Sequence, residues 1–312
     1  MKLSSSMMGK LRCPSALDSL ALSDAGVLVT ESGQSYPVVR GCPVLINEPN
    51  SLFKIDDFKN NVDTTFDLTP GILKRIFIRF FPKLGVNIKS EKNYNRLIDS
   101  LPAGASILVV GGSIEGQGAE KLYESNSYDV VSSDVSFGPK TTLICDAHDI
   151  PFEDKVFDCV IIQAVLEHVL DPVRCVAEIH RVLADNGVVY AETPFMQQVH
   201  AKQYDFTRFT HLGHRRLFRH FSEVESGPVC GPGMALAWSY SYFLRSMSST
   251  RWLNRMLTVF AHCTGFFLKY FDYWLINKPG SYDAASAFYF WGRKSDQVLS
   301  DHDLIAGYKG VK

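Results

Sequence analysis

The sequence predicts an α/β fold built on a doubly wound, mostly parallel sheet. Two observations predict it: strand and helix signals alternate from residue 105 to about 225, and Gly or Asp punctuates the strand ends. A small β module stands in front of this region, and a helical insertion precedes the last strand. Residues 106–110 (SILVV) form a buried strand ending in Gly111-Gly112. Residues 128–131 form a second, closing at Asp134, and residues 142–145 a third, closing at Asp146. The fourth covers 157–162 and the fifth 187–191. Between these last two lies a helix with Asp171 as N-cap, Pro172 in its first turn, apolar Val176, Ile179 and Val182, and Asn186-Gly187 as its stop.

Beyond Phe221 the rhythm breaks. A short strand is expected at 223–229 and another at 287–292, with an aromatic-rich insertion between them. In the insertion, Arg251, Arg255, His262 and Lys269 recur on one helical face, and Trp252, Met256, Phe260, Phe267, Phe271 and Trp274 on another. The expected organisation is a β module at 1–50, a helical connector at 51–104, the α/β domain at 105–298 with its insertion at about 231–280, and a tail at 299–312.

Composition narrows the function. Lys and Arg total 32 against 33 Asp and Glu, so no global field favours nucleic acid, and none is expected as a partner. A hydrophobic share of 46% with 21% charged residues excludes a disordered or fibrous chain. The 7 cysteines (13, 42, 145, 159, 175, 230 and 263) are odd in number and scattered, which fits a reducing, cytoplasmic setting better than a disulfide framework. The first residues, MKLSSSMMGKLRCPS, hold no apolar run of signal-peptide length, and the uncharged stretch 226–244 is broken by Gly231-Pro232-Gly233. Peripheral membrane contact stays open, because GILKRIFIRFFPKLG (71–85) reads either as a basic amphipathic helix on an anionic surface or as a helix packed on the next domain.

Residues 10–46 resemble the small zinc ribbon found in front of some methyltransferases. The segment keeps Cys13-Pro14 and Cys42 but offers only two cysteines and no His, short of the four ligands structural zinc needs. An apolar-cored module without metal is expected.

Ligands of open α/β sheets bind outside the carboxyl ends of the strands. Gly111 and Gly112 allow close backbone approach there, Asp134 is placed to accept from two ribose hydroxyls, and Asp146 either accepts an adenine amino group or caps its strand. The run DAHDIPF (146–152), then VFDCVIIQAVLEHV (156–169), Asp171-Pro172 and Arg181-Val182-Leu183 closely resembles the class I S-adenosylmethionine-dependent methyltransferases, with their Rossmann-like sheet. The resemblance implies S-adenosyl-L-methionine as cofactor. It places Gly111 and Gly112 at the methionine part, Asp134 at the ribose, Asp146 and Ala147 at the adenine, and Gln163 facing the sulfonium. Val109 occupies the position where the family usually has an acid, and the loop reads GGSIEGQG, which makes Glu115 a candidate replacement.

For an alcohol acceptor a base must take the proton. After strand five, the loop PFMQQVHAKQYDFTRFTHLGH (194–214) gathers His200, Tyr204, Asp205, Arg208 and His211. It resembles a subgroup of these methyltransferases that often accompanies surface-glycan or secondary-metabolite pathways. His200 is the expected general base, Asp205 orients it or the acceptor, and Arg208 meets an anionic or hydroxyl-rich group. The alternative is a surface loop in which Asp205 simply pairs with Arg208. Glu167-His168 either faces the pocket or caps the following helix. His214, Arg215, Arg216, Arg219 and His220 read as a solvated or phosphate-facing surface. The expected function is O-methylation of a hydroxylated small molecule or glycan, lipid-linked intermediates included. A non-catalytic binding or scaffolding protein is the alternative; a nicotinamide oxidoreductase is disfavoured because the loop lacks the dinucleotide fingerprint. The insertion would serve as lid, membrane contact or homodimer surface.

Overall fold

The computed structural model describes residues 1–60, 81–116, 118–124 and 127–312. The basic amphipathic segment at 71–85 lies mostly outside the described residues. After a short helix (Ser5–Gly9) come five short strands: β1 (Ala21–Leu22), β2 (Leu28–Val29), β3 (Ser35–Tyr36), β4 (Val38–Val39) and β5 (Cys42–Leu45). The α/β region supplies β6 (Ser106–Val110), β7 (Asp129–Asp134), β8 (Leu143–Cys145), β9 (Phe157–Gln163) and β10 (Leu183–Pro194), followed by β11 (Phe221–Cys230) and β12 (Ala287–Lys294).

β1 to β3 form a small antiparallel sheet. The other strands form one 9-stranded sheet in the order β11-β12-β10-β9-β6-β7-β8-β5-β4. From β5 to β10 neighbouring strands run parallel, and β12 and β11 complete one edge antiparallel. The chain leaves β6 toward β7 on one side and later enters β9 on the other, so the carboxyl ends of β6 and β9 mark the switch point where open α/β sheets bind ligands.

β6 and β9 carry apolar residues on both sides because both sheet faces are covered. Leu108, Val110, Val160 and Ile162 join one buried cluster, while their neighbours Ile107, Cys159 and Ile161 join the other. The first fifty residues pack against the α/β region. β5 pairs with β8, and Leu3, Met7, Leu11, Cys13, Leu28 and Tyr36 share the cluster that holds Leu108 and Phe157. The two cysteines of the ribbon-like segment are buried apart: Cys13 contacts Ser15, Gln34 and Tyr36, whereas Cys42 donates to the Thr141 carbonyl.

The helix Pro172–Val182 has the expected N-cap, with Asp171 accepting from the Arg174 amide. Its end differs from expectation. The helix stops at Val182, and Asn186-Gly187 falls inside β10 where the register with β9 shifts between Leu183 and Val188. A Cβ on Gly187 would lie 2.8 Å from Leu183 Cδ2 and 3.1 Å from the Phe157 carbonyl, so this glycine serves the irregularity and not a helix cap.

The insertion is helical, with Pro232–Ser246 and Arg251–Gly265 as its long helices. Its Trp252, Met256, Phe260, Tyr273 and Trp274 are exposed. No helix among the described residues is long and apolar enough to cross a membrane. The expected basic surface after His211 survives only in part, with Arg216 and His220 exposed and two of its members buried. His214 is buried on Thr193, and Arg215 meets Glu223 and the carbonyls of Phe218 and Phe221. Arg216 and Arg219 both face Asp301.

Candidate active site

A cleft of about 620 Å³ opens at the switch point. Its floor begins at Gly111, which turns the chain out of β6 at φ 76°. A side chain is excluded there twice over: left-handed backbone favours glycine, and a Cβ would stand 2.2 Å from Val165 Cγ2. Gly112 lies behind the cleft wall, where its amide and that of Gly111 both donate to the Ser133 carbonyl.

Asp134 stands at the end of β7, lines the cleft and accepts from the Ser113 amide at 3.0 Å. Burial raises its pKa against the opposing effect of the Ser113, Ser136 and Val135 donors. Such a carboxylate retains acceptor capacity for ribose hydroxyls. Glu115, the candidate replacement for the missing acid, points elsewhere and pairs with Lys140 at 2.9 Å.

Asp146 and Ala147 also line the cleft, but the Asp146 carboxylate is already engaged. One oxygen takes the Ser51 hydroxyl at 2.6 Å, and the other faces His148 Nδ1 at 2.6 Å. The Asp171 amide donates to His148 Nε2, so the ring proton sits on Nδ1 and is given to Asp146. Burial alone would raise the Asp146 pKa; the His148 and Ser51 donors outweigh it and hold it below the ordinary carboxylate value. Through Ser51 the N-terminal segment thus closes one wall of the cleft, beside Phe53, which stacks on Tyr204 with ring centroids 6.1 Å apart.

Gln163 ends β9 and is a hub. Its amide donates to Glu192 Oε2 at 2.7 Å, and its carbonyl accepts from the Tyr94 hydroxyl at 3.3 Å. A Cβ on Gly116 would meet that same carbonyl at 2.1 Å, so the glycine loop lies directly on it. Glu192, near the end of β10, also accepts from Ser90, Tyr190 and Asn87. Burial raises its pKa even so. The sequence signal for Glu192 was its place at the end of strand five; its partners Asn87 and Ser90 come from the connector and carry no motif.

After Gln163, Ala164 adopts φ 54° and anchors its amide on the Glu192 carbonyl at 2.9 Å. Non-glycine residues are uncommon in this region and cluster at functional sites. The turn presents Glu167 and His168 to the cleft. The helix-capping alternative for this pair does not hold, because the next helix begins at Pro172 under the Asp171 cap. Glu167 is 0% exposed, and neither carboxylate oxygen has a hydrogen-bond partner among the described residues. Burial pushes its pKa up to about 8, with Arg208 pulling the other way. His168 donates from Nδ1 to the Tyr204 carbonyl at 2.7 Å; burial lowers its pKa.

His200 comes to this pair from the loop after β10. Its Nε2 lies 3.2 Å from His168 Nε2 and 3.7 Å from Glu167 Oε1. Asp205 sits behind His200. It accepts from the His200 amide at 2.9 Å, approaches Nδ1 at 3.5 Å, and is paired with Arg208. Burial would raise the Asp205 pKa, but Arg208 and the His200 amide bring it down to about 2.

Arg208 does not reach the cleft. Its guanidinium is spent on Asp205 and on the carbonyls of Gln197, Gln198 and Thr207, the pairing that was the alternative for this loop. It therefore fixes the loop and leaves no donor for an acceptor at the position expected of it. His211 is likewise set back, buried with Nε2 on the Ser226 hydroxyl.

Comparison with known proteins matches one domain model to part of the chain. Residues 112–191 match the model of a methyltransferase domain, which spans the glycine loop from Gly112 onward, Asp134, Asp146, Gln163 and the Glu167–His168 turn. S-adenosyl-L-methionine is the cofactor this domain supports. None of the curated proteins matches the chain. Among solved structures, the chain is similar to a putative sarcosine dimethylglycine methyltransferase from Galdieria sulphuraria, at 15% identity and TM-score 0.45, covering 72% of this chain and 98% of that one. It is also similar to the 1,6-didemethyltoxoflavin-N1-methyltransferase of Burkholderia thailandensis, at 14% identity and TM-score 0.41 over 75% and 95% of the two chains. A third similarity is to the [4+2]-cyclase SpnF, at 15% identity and TM-score 0.40 over 66% and 80%.

Proposed function

We propose that this chain is an S-adenosylmethionine-dependent methyltransferase acting on an oxygen of a hydroxylated small molecule or glycan, lipid-linked intermediates included. One observation carries the reading: a single cleft holds the Gly111 turn and Asp134 on one side of the switch point and Glu167, His168 and His200 on the other. The donor, when bound, supplies an electrophilic methyl group on a sulfonium. Asp134 would take its ribose hydroxyls, the Asp146–Ala147 rim its adenine, and Gln163 with Glu192 would face the reacting end. His200 would accept the acceptor's proton, held in place by Asp205 through its amide. The cleft volume suits donor and acceptor together.

Incubating the protein with methyl-labelled donor and parallel sets of hydroxylated and amine acceptors tests this reading. Label in an ether product supports it; label only in amine products would move the reaction to nitrogen.

The second reading is a methyltransferase-like binding module without turnover. It is favoured by the Asp146 and Glu115 carboxylates, both spent on protein partners. Calorimetric titration with S-adenosylhomocysteine separates the two, since a module that has lost the donor gives no heat. The exposed aromatic face of the insertion suits a membrane surface or a second copy of the chain. Liposome flotation of the protein and of Trp252→Ser with Trp274→Ser reads the first, and sedimentation the second.

A further inference from the structure

We propose that Glu167, His168 and His200 form a site for a divalent transition-metal ion on the acceptor side of the cleft. No metal was expected from the sequence, because the only metal-like pattern lay in the N-terminal cysteines. The three ligand atoms come from a turn and a distant loop, and they lie within 4.8 Å of one another.

The hydrogen-bond pattern gives the reason. A carbonyl oxygen only accepts, so the ring nitrogen facing it carries the proton. His168 Nδ1 faces the Tyr204 carbonyl at 2.7 Å, and His200 Nδ1 faces the Gln198 carbonyl at 3.3 Å with Asp205 Oδ2 at 3.5 Å. Both Nε2 atoms therefore present lone pairs toward the cleft. They stand 3.2 Å apart, with Glu167 Oε1 3.5 Å from one and 3.7 Å from the other. A proton between the imidazoles would leave the fully buried Glu167 carboxylate without a partner, since both distances exceed those of a good hydrogen bond. A cation serves all three. Ligands about 2.1 Å from a tetrahedral ion are about 3.4 Å from one another, which is the spacing the three atoms already have.

The surroundings match those of ligating histidines, whose other ring nitrogen is commonly donated to a carbonyl or carboxylate. Two imidazoles and one carboxylate suit Zn²⁺ or Fe²⁺ better than Mg²⁺, which prefers oxygen. Three protein ligands leave a position open toward the cleft, as catalytic sites do. There the ion would hold an acceptor oxygen and acidify its hydroxyl, taking that task from His200. This consequence rests on the methyltransferase reading; the binding of the ion does not.

The test is equilibrium dialysis of the chelator-treated full chain against Zn²⁺, repeated with Co²⁺ for its visible absorption and with Mg²⁺. The expected result is one tightly bound Zn²⁺, a Co²⁺ spectrum of low coordination number, and at least tenfold weaker Zn²⁺ binding in Glu167→Gln and in His200→Ala. Glu167→Gln preserves shape, and His200 lies at the cleft mouth, so circular dichroism should show both variants folded. No stoichiometric Zn²⁺ in the unmodified protein overturns the proposal, and so does unchanged affinity in both variants, which would place the ion elsewhere. Titration of the same samples with S-adenosylhomocysteine keeps the two readings apart, because loss of donor binding with retained Zn²⁺ counts against the methyltransferase and not against the metal.

Discussion

Asp205 accepts from the backbone amide of His200 at 2.9 Å while its carboxylate is paired with Arg208. This relationship makes the loop after β10 a support for one imidazole, and it explains why an arginine that looks like a substrate anchor faces inward. The same loop is tied to the opposite side of the cleft, where the amides of Phe206 and Thr207 donate to the Glu167 carbonyl.

Asp205→Asn should loosen that support. Removing one member of a fully buried ion pair costs about 3–5 kcal/mol, and Arg208 is 21% exposed, so a loss of about 2 kcal/mol is expected. The pH dependence has a definite sign. The folded pKa of about 2 lies below the ordinary 3.8, so this stabilisation is present above 3.8 and is lost as pH falls toward 2. Denaturant melts of the two proteins should converge as pH drops through that window, and a constant gap would contradict the assignment.

Glu167→Gln should act in the opposite direction. The folded pKa of about 8 lies above the ordinary 4.5, so the protonated form favours folding. That contribution is complete below 4.5 and disappears as pH rises through 8. In chelator-treated protein at pH 9, the variant should be more stable than the parent by a few kcal/mol, on the order of the cost of a buried unpaired charge. At pH 4, below the ordinary value, the two should melt together. A variant less stable at pH 9 would mean that Glu167 has a partner in solution.

Gly111→Ala should cost about 1–3 kcal/mol from the left-handed backbone alone. The 2.2 Å approach to Val165 adds a clash that moves the turn carrying Glu167 and His168. Donor affinity and thermal stability should fall together. A stable variant with unchanged affinity would show that the turn does not shape the cleft.

Much of the fold was legible because β6 is an apolar run closed by Gly111-Gly112, because β7 ends in Asp134, and because Asp171-Pro172 is an unambiguous helix start. The stop of that helix was misplaced. Asn186-Gly187 signals a break equally well at a helix end and at an irregular strand, and the burial of Leu183 in β10 decides between them. In the site, Gly111, Asp134 and Gln163 could be found because they sit at strand ends. The convergence of Glu167 and His168 with His200 could not, since it depends on how a loop thirty residues later folds back. Arg208 shows the converse: its charge was visible, but the carbonyls of Gln197 and Gln198 that consume it exist only once the loop is closed.

The central claim is that the rim at the carboxyl ends of β6 and β7 grips an adenosyl group through Asp134. Calorimetric titration of S-adenosylhomocysteine into the full chain and into Asp134→Asn measures it. Hydrogen bonds to a charged group contribute about 1.5–3 kcal/mol, so one-to-one binding that weakens about tenfold to a hundredfold in the variant is expected. Absence of binding in the unmodified chain, or equal affinity in both, would contradict it.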